Sequence, residues 1–324
     1  MLLTTALRAT AKSRRALCRA FPATGVAGNR GADCVRTAIM KKIMEEFVSL
    51  YPRVAQFIAK LPCPDETFLF DRTSNIQYPF WAEFQYFLSN MVRFGNTQEI
   101  ACKLSSVARL SLDCNRAWGN WCDFRSSQFE VTAIFLIERY FEGEITQLIP
   151  EGKTPTSDFM VRLNQGEFRV EAKAQSGQQR GDIHPRQDGA ILFDPKEEID
   201  LRSWLFEEKN SSRNGKVMEP MAIAAEKKGA EILICQTDYV ATESNLLSQL
   251  SVLCPQNRFV EKMTLESTDR KPIAVTFLQA TFPCARQLTN LKEIWLCDLS
   301  SSHYGLVVLS QKNSILMNHL KCRR

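Results

Sequence analysis

Three residues near the middle of the chain have the types and spacing for phosphodiester chemistry. Asp158 opens an alternating apolar segment, and Glu171 and Lys173 lie two positions apart in a second one. Hydrolysis of a phosphodiester needs a hard cation, which neutralises charge developing on the phosphate and acidifies an attacking water. Magnesium takes oxygen ligands and accepts one or two carboxylates, with water and phosphate completing its shell. Manganese suits the same donors. Asp158 and Glu171 are therefore the candidate ligands of Mg2+ or Mn2+. Lys173 is the candidate to orient the water, stabilise hydroxide or hold the phosphate. By the two-residue period of a strand, Gln175 falls on the side of Glu171 and Lys173 and could hydrogen-bond a phosphate or a base.

A hairpin must position these groups. Asp158–Leu163 alternates, with Phe159, Val161 and Leu163 on one side. Asn164–Gln165–Gly166 supplies the turn, and Phe168, Val170, Ala172 and Ala174 form the apolar face of the return strand. Upstream, the pattern predicts a helix over 127–142, capped by Ser126 or Ser127 and ended by Gly143. Glu130 shares its face with Ala133, Ile134, Ile137 and Phe141, so it needs either a partner or the favourable dipole of a first helical turn. A short strand follows at 144–150. Downstream come a Gly-, Gln- and Arg-rich loop at 176–190, a helix-prone stretch at 195–209, a helix at 218–228 ended by Gly229, and a strand at 231–236. Strand-like runs return at 273–278, 294–299 and 306–309, and 237–270 is ambiguous.

The tripeptide (D/E)xK occurs six times: Glu151–Lys153, Glu171–Lys173, Asp194–Lys196, Glu207–Lys209, Glu226–Lys228 and Asp269–Lys271. Only the second lies in an alternating strand that returns from another strand opening with Asp; the others read as solvated loops or helix faces. The plain structural alternative for Asp158, Glu171 and Lys173 is a solvent-exposed sheet face with an ordinary ion pair, which contributes little. With Ser157–Asp158 and Glu171–Ala172–Lys173, the order from 127 onward resembles the PD-(D/E)xK nuclease superfamily over residues 126–240. Ser157 stands where the family has its proline.

The resemblance implies an α/β fold with a restriction-endonuclease-like mixed central sheet flanked by helices. It implies a Mg2+-dependent endonuclease with Asp158, Glu171 and Lys173 at its centre, and Glu130 and Gln175 as further candidates. The expected partner is nucleic acid, double-stranded DNA first, with a homodimer left open. A restriction or defence role is expected over repair, and the alternative is a non-catalytic nucleic-acid- or protein-binding member of the fold.

Residues 40–125 read as a helical N-terminal region. Apolar residues from Phe47 to Leu61 recur at helical spacing around Pro52, and an aromatic stripe from Phe80 to Met91 lies between Pro79 and Gly95. That stripe reads as packing surface rather than a base-stacking platform. Trp118 and Trp121 read as part of a polar turn. The nuclease-like domain is expected over 126–315, with 316–324 a tail.

Residues 1–39 read as a mitochondrial transit peptide or as a stretch upstream of a true start at Met40, with no role in the fold. Of the net charge of +5, residues 1–42 carry nine basic side chains against one acid, so the remainder is net acidic. Any nucleic-acid site there must be a local patch. The 11 cysteines are scattered singly without CxxC spacing, which argues for a reducing compartment and against zinc. No apolar stretch reaches membrane-spanning length, so a cytoplasmic location is expected, or a mitochondrial one if the leader is genuine. No GxGxxG or P-loop is present, and His184, His303 and His319 have no visible catalytic partners.

Overall fold

The structure, a computed structural model, describes residues 30–61, 73, 75–95, 97–105, 114–150, 152–174, 182–185, 191–194, 201–206, 209–210, 217–218, 220–236, 261–263, 273–298 and 305–323. Gln175, Arg186, residues 1–29 and most of 237–270 lie outside them, as do the side chains of Trp118, Trp121 and His184. The chain divides into two compact units, one of Met1–Asn90 with Lys103–Phe124 and one of Met91–Cys102 with Arg125–Arg324.

The first unit is helical where described. Helix α1 spans Arg30–Leu50, so residues 30–39 of the expected leader are helical. Helix α2 (Pro52–Ala59) starts with proline in its first turn, where a missing N–H costs nothing. Gln85 Oε1 accepts from the free Arg53 N–H at 2.9 Å, doing the work of an N-cap. Helix α3 (Phe80–Phe94) ends at Gly95, whose φ of 77° suits glycine. Its aromatic stripe is core: Phe80, Trp81, Phe84 and Phe87 are buried, with Phe47, Phe57 and Phe124 set against them at ring distances of 5.1 to 6.3 Å. Helix α4 covers Gln98–Ser105.

Helix α5 runs Cys114–Arg139, far longer than the expected 127–142. Ser126 and Ser127 are therefore mid-helix residues and not caps, and Trp118 and Trp121 are on helix rather than in a turn. The helix ends before Gly143, through Glu142 at φ 50°. Gly143 has another purpose: a Cβ there would meet Ile137 at 2.8 Å and Leu163 at 3.0 Å.

The second unit is built on an eight-stranded mixed sheet ordered β1-β2-β3-β8-β11-β12-β10-β9. Its strands are β1 (Glu144–Leu148), β2 (Phe159–Leu163), β3 (Gly166–Lys173), β8 (Ile232–Gln236), β9 (Glu261–Met263), β10 (Ile273–Phe277), β11 (Glu293–Asp298) and β12 (Gly305–Ser310). β1, β2 and β3 are antiparallel neighbours, while β3, β8 and β11 run parallel. Two short ribbons stand apart. β4 (Asp182–Pro185), inside the stretch expected to be loop, pairs with β5 (Ile191–Asp194) just beyond it, and β6 (Lys209–Asn210) pairs with β7 (Val217–Met218).

Helices cover both faces of the sheet. On one face α6 (Leu201–Leu205), α7 (Met221–Lys227) and α8 (Leu278–Thr281) join a core with Leu233, Cys235, Ile294, Leu296, Val307 and Leu309. Burial on both faces explains why β8 is apolar from Ile232 to Cys235. The other face meets the end of α5, where Phe141 packs on Trp295 at 5.8 Å, and the last helix, α9 (Ile315–Cys322).

The expected tail at 316–324 is mostly this helix, and Leu316, Met317, His319 and Leu320 are buried. Buried Glu293 accepts from the Ile315 and Leu316 N–H groups at its N-terminus. His319 Nε2–H donates to Phe141 O at 2.8 Å, and Nδ1 accepts from the Asn164 N–H at 3.0 Å. α9 thereby pins the β2–β3 turn. No described helix is long and apolar enough to cross a membrane.

Candidate active site

The β2–β3 hairpin forms as its alternation dictates. Phe159, Val161, Leu163, Phe168, Val170 and Ala172 are all buried on one face. The pairing of Phe159 with Val170 places Asp158 opposite Glu171, and the Asp158 N–H donates to Val170 O at 3.0 Å. Both carboxylates emerge on the other face, the one covered by α7. Lys173 lies there too, two residues beyond Glu171.

This is not an exposed sheet face. Glu171 is 0% accessible, with Lys173 at 29%. Asp158 is held by a short bond in which Ala172 N–H donates to its Oδ2 at 2.7 Å. That bond satisfies a strand N–H and fixes the carboxylate's rotamer. Lys173 Nζ reaches Glu171 Oε1 directly.

A second lysine completes the cluster. Lys228 Nζ lies 2.6 Å from Glu171 Oε1 and 3.9 Å from Asp158 Oδ1, so one ammonium touches both carboxylates. It belongs to Glu226–Lys228, a tripeptide whose sequence setting suggested only a solvated helix end. Lys228 caps α7, Gly229 takes φ 70°, and the chain turns into β8 beside β3. Glu226 serves the same turn: its carboxylate accepts from the N–H groups of Thr289, Asn290 and Leu291. The last Lys of an (D/E)xK string was legible in the sequence, but its side chain's destination rests on how α7 packs.

The neighbouring charges set the protonation of Asp158 and Lys173. Burial, then the nearby Glu171 charge, push Asp158 up to about 7, against the opposing pull of Lys173, Lys228 and the Ala172 N–H. Burial alone would lower Lys173, but Glu171 and Asp158 hold it above its ordinary range, so it is an ammonium at neutral pH. Burial also raises the Cys235 thiol, which pairs across from Lys173 on β8 and stays protonated.

The residues present suit a divalent cation in part. Two carboxylates share one cation-sized place, and Glu171 Oε2 is buried with no hydrogen-bond partner. An anionic oxygen in that condition is costly unless a cation or donor reaches it. Among the described residues, however, no three His, Cys, Asp or Glu side chains gather as a ligand set. Glu130 is therefore not brought in as a third acid. It accepts from Ser126 Oγ at 3.5 Å, one turn back on α5, and the end of that helix packs on the opposite sheet face. Gln175 lies outside the described residues.

No protein-family model, curated protein or solved structure matches the chain.

Proposed function

We propose that the chain is a divalent-metal-dependent endonuclease that hydrolyses phosphodiester bonds, in double-stranded DNA first, on a PD-(D/E)xK, restriction-endonuclease-like core. The reading is carried by one observation: Asp158 and Glu171, from paired strands, converge on a position already contacted by a cation, with the Lys173 ammonium alongside.

Asp158 and Glu171 are the residues that would hold Mg2+ or Mn2+. Such an ion, when bound, neutralises phosphate charge and acidifies a water. Asp158 needs no reorganisation for this, because the Ala172 N–H already aims it. Lys173 keeps its proton and therefore acts as a fixed positive charge toward a phosphate oxygen rather than as a base. In the reaction a water oxygen bonds to phosphorus and gives up a proton to solvent, the bond to one sugar oxygen breaks, and that oxygen takes up a proton from solvent.

A second reading, a nucleic-acid- or protein-binding member of the fold without catalysis, draws on the closure of the cluster. Two ionised carboxylates facing two ammoniums form an ion group that is neutral without any metal. Incubating the full chain with supercoiled plasmid and Mg2+ separates the two. Nicked and linear products are expected from wild type, suppressed by EDTA and by Asp158→Asn, which keeps an acceptor for the Ala172 N–H. Equal cleavage by the variant assigns the activity to a contaminant and removes the nuclease. Plasmid retained uncut in a shifted complex selects the second reading.

A further inference from the structure

Lys228 lies where a divalent cation would lie, and its charge makes the two mutually exclusive. Its ammonium is 2.6 Å from Glu171 Oε1 and 3.9 Å from Asp158 Oδ1. Lys173 also contacts Oε1, so both ammoniums crowd one oxygen while Oε2 has no partner. With both carboxylates ionised, the group carries two negative and two positive charges. A divalent ion entering beside both ammoniums would create a net positive cluster at a largely buried place, which is strongly disfavoured.

The two lysines differ in how they are held. Lys173 is the last residue of β3 and is held by the ladder to β8, where it pairs with Cys235. Lys228 sits at the end of the seven-residue α7, next to Gly229, with its side chain 23% exposed on a four-carbon stem. It can swing toward solvent without moving the sheet.

We propose that Lys228 is a resident counter-ion that excludes the divalent metal until a polynucleotide phosphate draws it away. The phosphate does two things at once. It offers Lys228 a new anionic partner, and it supplies the negative charge that the incoming metal requires. Metal and nucleic acid then bind with positive cooperativity, and by linkage each tightens the other equally. The proposal rests on the nuclease reading of the same site.

The test measures Mn2+ binding to the full chain by loss of the free-ion electron paramagnetic resonance signal, so it does not depend on turnover. Lys228→Met is expected to bind Mn2+ alone at least about tenfold more tightly than wild type. Lys228→Gln, which keeps a donor for Glu171 without the charge, should show the same direction. Adding Asp158→Asn to Lys228→Met should return the affinity to wild-type level or below. An excess of phosphorothioate duplex DNA should tighten Mn2+ binding to wild type about tenfold and to Lys228→Met much less.

Equal Mn2+ affinities for wild type and both Lys228 variants, each melting cooperatively, overturn the counter-ion. If wild type still cleaves plasmid with Mg2+, the nuclease survives that result. Mn2+ bound by none of the proteins, together with no cleavage, overturns both.

Discussion

Lys173→Met is expected to lower the single-turnover rate of Mg2+-dependent plasmid cleavage by about 10²- to 10³-fold, with Mn2+ affinity no weaker than wild type. The size follows from placement. Lys173 is fixed at the end of β3 by its pairing with Cys235 of β8, keeps its proton, and lies two residues beyond Glu171 on the same face. A charge fixed in that way loses little on reorganisation, and its loss is felt mainly in the transition state. Methionine retains most of the apolar stem and removes only the charge. Lys173→Arg should rescue poorly, because a planar guanidinium cannot occupy the compact position of an ammonium against buried Glu171. A merely structural lysine would behave differently: its loss would lower the melting temperature and leave the rate per folded molecule within about threefold.

The second large effect is on stability and runs opposite to the usual loss on mutation. Asp158→Asn is expected to raise the melting temperature of the metal-free protein by about 5 °C at pH 8 and by almost nothing near pH 4. The folded Asp158 carboxyl is pushed up to about 7 from an ordinary 3.8. Below the ordinary value both folded and unfolded chains hold the proton, so this residue adds no pH dependence. Between about 4 and 7 the unfolded chain has lost the proton and the folded chain retains it, so rising pH favours unfolding. Above 7 the full cost is present. The shift sets a ceiling of about 4 kcal/mol, and losing the contact with Lys228 takes back a part. Asparagine escapes the cost because its amide oxygen can still accept from Ala172. Thermal melts of both proteins in EDTA across that pH range check the slope. A constant difference at every pH would mean that Asp158 is not desolvated as described. A site that weakens its own fold in this way is characteristic of functional clusters.

How far these features were readable from sequence depends on the range of the interactions that fix them. The β2–β3 hairpin was legible because alternation in Phe159–Val161–Leu163 and Phe168–Val170–Ala172 and the turn at Asn164–Gly166 are local signals. Pairing Asp158 with Glu171 then followed from register alone. The buried apolar run of β8 was legible for the same reason.

Helix α5 was misread at its start because Asn115, Gly119, Asn120, Asp123, Ser126 and Ser127 favour turns and caps, while the helix continues through all of them. The C-terminal helix was missed despite a usable signal: the Ser314 hydroxyl accepts from Met317 N–H at 3.2 Å, an N-cap three residues before its partner. Glu130 had the right spacing on the helix for an inward-facing acid, but spacing fixes a helix face only, and among the described residues Glu130 forms no ligand group with Asp158 and Glu171. Lys228 was dismissed because its surroundings are charged. Its approach to Glu171 spans 57 residues and depends on α7 docking against β3 and β8, which no local pattern encodes.

The account stands on Asp158 and Glu171 sharing one divalent ion. Crystals of Lys228→Met soaked in Mn2+ would show it through anomalous scattering at the manganese edge. The expected result is a peak within about 2.2 Å of an oxygen of each carboxylate, absent when Asp158 is also replaced by asparagine. A peak only elsewhere, or none at millimolar Mn2+, would contradict the shared ion and with it the proposed chemistry.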